Sequence, residues 1–197
     1  MEVRSVYAPF NGVGREDQLE RRQLWDNELE VEMFNSTDST KGRVIMGDMN
    51  AVYRDSDISP TEEFWQRQGP QTLPLLDRGF GGTTFNERSR FKNWIEMGDL
   101  EDSFTPLTPH KGCHLRNLDA QFTFRGQGKF YGKGMKIDYV LVDKTILISG
   151  GVKSSRILCN GRDREMASWA RITRHYGASW IRNGRPSAQI YSQIIVR

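Results

Sequence analysis

The chain has 197 residues, enough for one ordinary domain with one sizeable core, and its 28 Lys plus Arg against 25 Asp plus Glu leave a formal charge of +3. That excess permits a nucleic-acid or acidic partner without establishing one. Cys113 and Cys159 cannot build a disulfide framework, no apolar run approaches the ~20 residues of a membrane span, and Met1-Glu2-Val3-Arg4 is neither a signal nor a transit sequence. Secreted, membrane and fibrous classes are thereby excluded. The expectation is a reducing, intracellular location, with nucleus and mitochondrion left open. Apolar residues are sparse at 37%, yet five Trp, ten Phe and six Tyr spread along the chain argue for an ordered core.

In chain order, Val3–Ala8 alternates and meets Pro9-Phe10-Asn11-Gly12, which predicts a strand running into a turn. From Arg15 to Phe34 the pattern is helical, with Trp25, Leu29 and Met33 four apart. Residues 35–40 are a polar loop. Arg43–Met46 is a short apolar run closed by Gly47, the pattern of a buried strand ending at a tight turn. Residues 59–84, rich in Pro and Gly, predict an irregular excursion. A second helix is expected over Asn86–Met97, where Thr84 and Glu87 have capping-box spacing and Gly98 lies past the end. Ala120–Phe124, Lys136–Asp143 and Val152–Leu158 read as strands. The middle one is apolar on both faces and so central, with Asp138 as a charged intruder in its interior. Ile190, Ile194 and Val196 allow a last strand.

Three aspartates carry the candidate chemistry. Asp48, straight after an apolar strand, reads on its own as a turn aspartate bonding its own backbone. Asp138 is harder to dismiss, because a carboxylate inside a buried strand must be paired or functional. Asp163 alone looks like any loop aspartate. His110-Lys111-Gly112-Cys113-His114 offers soft ligands but lacks a second half with zinc spacing, and reads as an ordinary loop.

Taken in order, Tyr7-Ala8-Pro9, Gly47-Asp48-Met49-Asn50, the stretch from Asn86-Glu87-Arg88 to Leu100-Glu101-Asp102-Ser103-Phe104, and Lys136-Ile137-Asp138-Tyr139 resemble the exonuclease III/AP-endonuclease branch of the endonuclease/exonuclease/phosphatase superfamily. Asp57-Ile58 also fits that pattern, and the similarity runs from about Val3 to Asp163. The resemblance implies an α+β fold, part of a four-layer sandwich, and hydrolysis of DNA phosphodiesters with Mg²⁺. It places Tyr7 against the scissile phosphate, Asp48 and Asn50 at the attacking water, Asp163 on the metal and Asp138 behind a histidine. A phosphodiester needs these parts: an aligned nucleophile, neutralised charge on its oxygens and a stabilised leaving group.

Two departures weigh against full activity. Arg164 stands where the family has its histidine, and an Arg cannot exchange protons near neutral pH, though it can pair with Asp138. Tyr7, mid-chain in the family, is the seventh residue here, so the family's N-terminal half, with its metal-binding glutamate, is expected to be missing. Residues 1–165 then form a partial domain that leaves sheet edges and a face for another protein chain to cover. Residues 166–197 are a basic extension without a single acid, where Arg171, Arg174, Arg182 and Arg185 alternate with aromatics. With Arg125, Lys129 and Lys133 of the cationic loop 125–134, they are the expected nucleic-acid contacts, to DNA or RNA. The leading expectation is a catalytically impaired, nucleic-acid-associated subunit of a larger assembly, such as a ribonucleoprotein, with Mg²⁺ retained or lost. The rivals are an active Mg²⁺-dependent AP endonuclease or exonuclease completed by a second chain, and a retroelement-type endonuclease fragment.

Overall fold

The computed structural model describes residues 1–12, 15–35, 42–59, 73–104, 122–125, 133–158 and 191–196. Strand β1 (Glu2–Tyr7) runs through helix α1 (Glu16–Asn35) into β2 (Arg43–Asp48), and the two strands pair in parallel. A helical crossover is what parallel pairing requires. Helix α2 (Phe85–Met97) leads directly into β3 (Leu100–Asp102). A short hairpin of β4 (Phe124–Arg125) and β5 (Gly134–Met135) precedes β6 (Asp138–Asp143). Then follow the short helix α3 (Lys144–Ile148), β7 (Val152–Leu158) and β8 (Tyr191–Val196), the last two pairing antiparallel.

The main sheet has the order β1-β2-β6-β3, with β6 antiparallel to both neighbours. One face packs on the two long helices. Leu29 and Met33 of α1 and Phe91, Trp94 and Ile95 of α2 enclose Ile45, Leu100, Tyr139 and Leu141. Burying each of these large side chains contributes about 1.5–3 kcal/mol relative to exposure. On the other face Val44, Val140 and Val142 meet Val152 of β7, with Ile146 and Leu147 of α3 alongside. Helices, sheet and strand ribbon make the expected α+β sandwich. Strand β6 is apolar on both faces because it is covered on both.

Three expectations need correction. Gly47 does not end β2 in a turn: it lies inside the strand at φ +146, where a Cβ would sit 1.8 Å from the Val6 carbonyl oxygen. Asp138 opens β6 rather than interrupting it, and it is half-buried there. Strand β4 starts at Phe124, with Phe122 and Thr123 still outside it. Gly98 lies just past the end of α2, as expected, at φ −75, and the left-handed residue is its neighbour Asp99 at φ 50. The last strand does form, tying Tyr191–Val196 to β7. No helix among the described residues is long and apolar enough to cross a membrane.

Candidate functional site

The register of the main sheet lines up three residues that lie far apart in sequence. Tyr7 pairs with Asp48 across β1 and β2, and Asp48 pairs with Asp138 across β2 and β6. The two rows behind them are Ser5, Met46 and Val140, then Val3, Val44 and Val142. Residues paired directly across a sheet project from the same face, and alternate residues share it. Tyr7, Asp48 and Asp138 therefore stand together on the face away from the helices, at the end of β1 and β2 and the start of β6. Tyr7 is 74% exposed and forms the open rim of the row.

Asn50 fixes the turn that follows. Its backbone N–H donates to Asp48 Oδ1 at 2.8 Å, and its side-chain Nδ2 donates to the Ala8 carbonyl at 2.8 Å. The residue is left-handed at φ 44, a conformation that Asn tolerates better than most because its short side chain bonds locally. The Asp48 carboxyl is pushed up to about 6, first by burial and then by the Asp138 carboxylate beside it, against the pull of the Asn50 N–H and Arg22. Asp138 is also raised by burial, with the Thr123 hydroxyl holding it down. Thr123 Oγ1 in turn accepts from the N–H of Ile137 at 2.9 Å and of Asp138 at 3.0 Å. An oriented carboxylate that titrates near neutral pH is suited to take a proton from water.

No family model matches the chain. It is 34% identical over 147 residues to a DNA-(apurinic or apyrimidinic site) endonuclease of Arabidopsis thaliana, an alignment covering 72% of this chain and 38% of that protein. A protein of the same description from Plasmodium berghei is 29% identical over 153 residues, 73% of this chain and 28% of its own length. In fold, a 3'-5' exonuclease from Neisseria meningitidis superposes with a TM-score of 0.63 at 17% identity, over 98% of this chain and 59% of the other. An AP endonuclease from Archaeoglobus fulgidus gives 0.62 at 14% identity, over 98% and 60%. Over 72% of its length the chain is similar in sequence to an AP endonuclease, and it shares the α+β fold of exonuclease and AP-endonuclease structures. It spans well under half the length of these curated relatives.

Within this AP-endonuclease-like segment the structure brings together Tyr7, Asp48, Asn50 and Asp138. Arg125 closes β4 and Lys133 stands just before β5, at the two feet of the cationic loop. Asp163, Arg164, Lys129, Arg171, Arg174, Arg182 and Arg185, and the His110–His114 stretch, lie outside the described residues. The oxygen donors of Asp48, Asn50 and Asp138 have the right hardness for Mg²⁺. They do not fit it unaided: among the described residues no group of three or more His, Cys, Asp or Glu could hold a metal ion.

Sequence reasoning missed the charged layer beneath the site. Arg22 and Asp26 of α1 form a fully buried ion pair at 2.8 Å, and Arg90 of α2 donates to the other Asp26 oxygen at 2.8 Å. Glu87 is buried beside them, pushed up to about 7 by burial against the pull of Arg22. The signal was in the sequence: positions 22, 26, 29 and 33 share one helix face, so two charges stand in the apolar stripe of α1. A second buried layer links Lys136 to Asp102, with Tyr139 donating to the Lys136 carbonyl at 2.8 Å and to Asp57 at 3.3 Å.

Proposed function

We propose that this segment is a nucleic-acid-associated subunit that keeps the phosphate-facing row of an AP endonuclease while its phosphodiester cleavage is impaired. The observation carrying the reading is the aligned Tyr7–Asp48–Asp138 row, in which a hydroxyl, a carboxylate of near-neutral affinity and its carboxylate neighbour line up at the open end of one sheet face. Such a face suits a phosphodiester held by cationic loops. Impairment is argued from Arg164, whose guanidinium cannot act as the acid or base that the family histidine supplies. The exposed outer side of β1 supports a further protein chain covering that part of the sheet, with Mg²⁺ binding following that completion. The basic residues 166–197 suit a phosphate backbone, DNA or RNA, within such an assembly.

A second reading is favoured by Asp48: a base poised near 6 is what a working hydrolase needs, so the completed assembly is an active Mg²⁺-dependent nuclease. One assay separates the two. The full chain, alone and with its copurifying partners, is incubated with an abasic-site duplex and Mg²⁺, beside Asp48→Asn. The expected result is binding with little or no cleavage. Robust cleavage that vanishes in Asp48→Asn would establish the second reading instead.

A further inference from the structure

We propose that Arg22 is the positioning residue of the site, a buried guanidinium that clamps the turns after β1 and β2 and so sets the direction of the Asp48 carboxylate. This inference rests on the reading that Asp48 and Asn50 belong to the functional row. Arg22 is 1% exposed and lies behind both turns. Its Nε donates to Asp26 at 2.8 Å, its Nη1 to the Pro9 carbonyl at 2.9 Å and, at a longer 3.4 Å, to that of Asn50, and its Nη2 to the Met49 carbonyl at 2.9 Å. A planar fork can address separate carbonyls and one carboxylate at once, and a lysine ammonium cannot.

The same two turns are tied from the other side by Asn50, which reaches the Ala8 carbonyl next to Pro9. Its left-handed backbone costs on the order of 1–3 kcal/mol unless the surroundings hold it. Arg22 holds it through the carbonyls of Met49 and of Asn50 itself, which flank the Asn50 Cα. A third side is closed by Gly82, at φ +84, where a Cβ would fall 2.8 Å from the Asn50 oxygen, and whose N–H donates to Glu87 at 2.9 Å. Asp26 then joins the clamp to α2 through Arg90.

Buried ion pairs add little net stability, because desolvation offsets the attraction, so this network is better explained by the geometry it imposes. The charged groups around the guanidinium are Asp26 on its own helix, Arg90 and Glu87 on α2, and Asp48 on β2. Arg22 opposes the rise in proton affinity at Asp48, which is consistent with a support from behind. Arg22 directs its hydrogen bonds to Asp26 and to the Pro9, Met49 and Asn50 carbonyls, while the Asp48 carboxylate accepts from the Asn50 N–H.

The test uses the full chain, ¹⁵N-labelled, and follows the Asn50 side-chain amide, whose shift and exchange rate report its bond to Ala8. Arg22→Lys keeps the charge and loses the fork. The Asn50 amide should shift and exchange about tenfold faster, as expected for loss of roughly one hydrogen bond's support. Val152→Ala, on the far face of the sheet, should lower Tm while leaving the Asn50 signals in place. The double variant Arg22→Met/Asp26→Leu removes both charges, so no orphaned carboxylate confounds it, and it should fold with the same Asn50 change. Unchanged Asn50 signals in either folded variant overturn the proposal. A double variant that fails to fold does so as well, since the pair would then carry the fold rather than the turn. The readout needs no turnover, so absent cleavage leaves it standing, and its failure leaves the cleavage question open.

Discussion

Asp48 answers to conflicting demands. The turn at Asn50 wants an ionised oxygen to accept its N–H, while burial and the neighbouring Asp138 favour a proton. In the unfolded chain the carboxyl ionises near 3.8 and in the fold near 6. Between those values the folded chain holds a proton that the unfolded chain has released. Stability therefore falls as pH rises through that window, and above about 6 the loss is complete. Asp48→Asn keeps an oxygen for the Asn50 N–H and removes the titration. It should stabilise the chain by about 1–3 kcal/mol at pH 7.5 and by little at pH 3.5, read from urea unfolding at both values. Glu87, shifted from 4.5 to about 7, changes stability in the same direction but is common to both proteins, so it cancels in the comparison. Equal effects at the two pH values would contradict the raised affinity. A residue held at such a disadvantage fits a functional position better than a structural one.

At the scale of elements, β2 depends on one glycine. A Cβ at position 47 would sit 1.8 Å from the Val6 oxygen, on backbone that cannot withdraw without breaking the β1–β2 pairing. Gly47→Ala should cost at least about 3 kcal/mol and pull Tyr7 out of line with Asp48. Gly150→Ala provides the contrast: φ is +70, yet nothing lies within 4 Å, so backbone strain alone leaves about 1 kcal/mol. Comparing the two urea midpoints checks the argument. The same glycine shows what the sequence could convey. Its place at the end of an apolar run marked it as special, but a turn and an in-strand close approach both call for Gly, and only the neighbour's position decides between them. The helices were legible because α1 and α2 repeat an apolar stripe every three or four residues. The site row was legible only through motif order, since register is a long-range property that brings Asp48 and Asp138 together across 90 positions. The Arg22 clamp was passed over because two charges within a polar helix resemble a solvated face.

At the scale of the molecule, the sheet is covered unevenly. β2 and β6 are flanked on both sides and packed on both faces, whereas β1 pairs only with β2 among the described residues. Val3, on the sheet face away from the helices, is 54% exposed, and on the helix side Leu24 and Val31 of α1 are 58% and 60% exposed. Apolar groups on an edge strand and the helix beside it form the kind of surface that association covers. In the chain on its own, amide hydrogen exchange should rank β6 slowest and β1 fastest within this sheet, and addition of a completing partner should slow β1 selectively. Equal protection of β1 and β6 in the isolated chain would count against an open edge.

The alignment of Tyr7, Asp48 and Asp138 also governs which changes in chain length the gene can accept. A substitution in β2 alters one side chain, but a single inserted residue between Arg43 and Asp48 would turn every later side chain of that strand to the opposite face. Asp48 would then point at the helices, and Ile45 and its neighbours at the strand ribbon. The row therefore tolerates drift in spelling and forbids drift in spacing, so length variants should accumulate outside β1, β2 and β6.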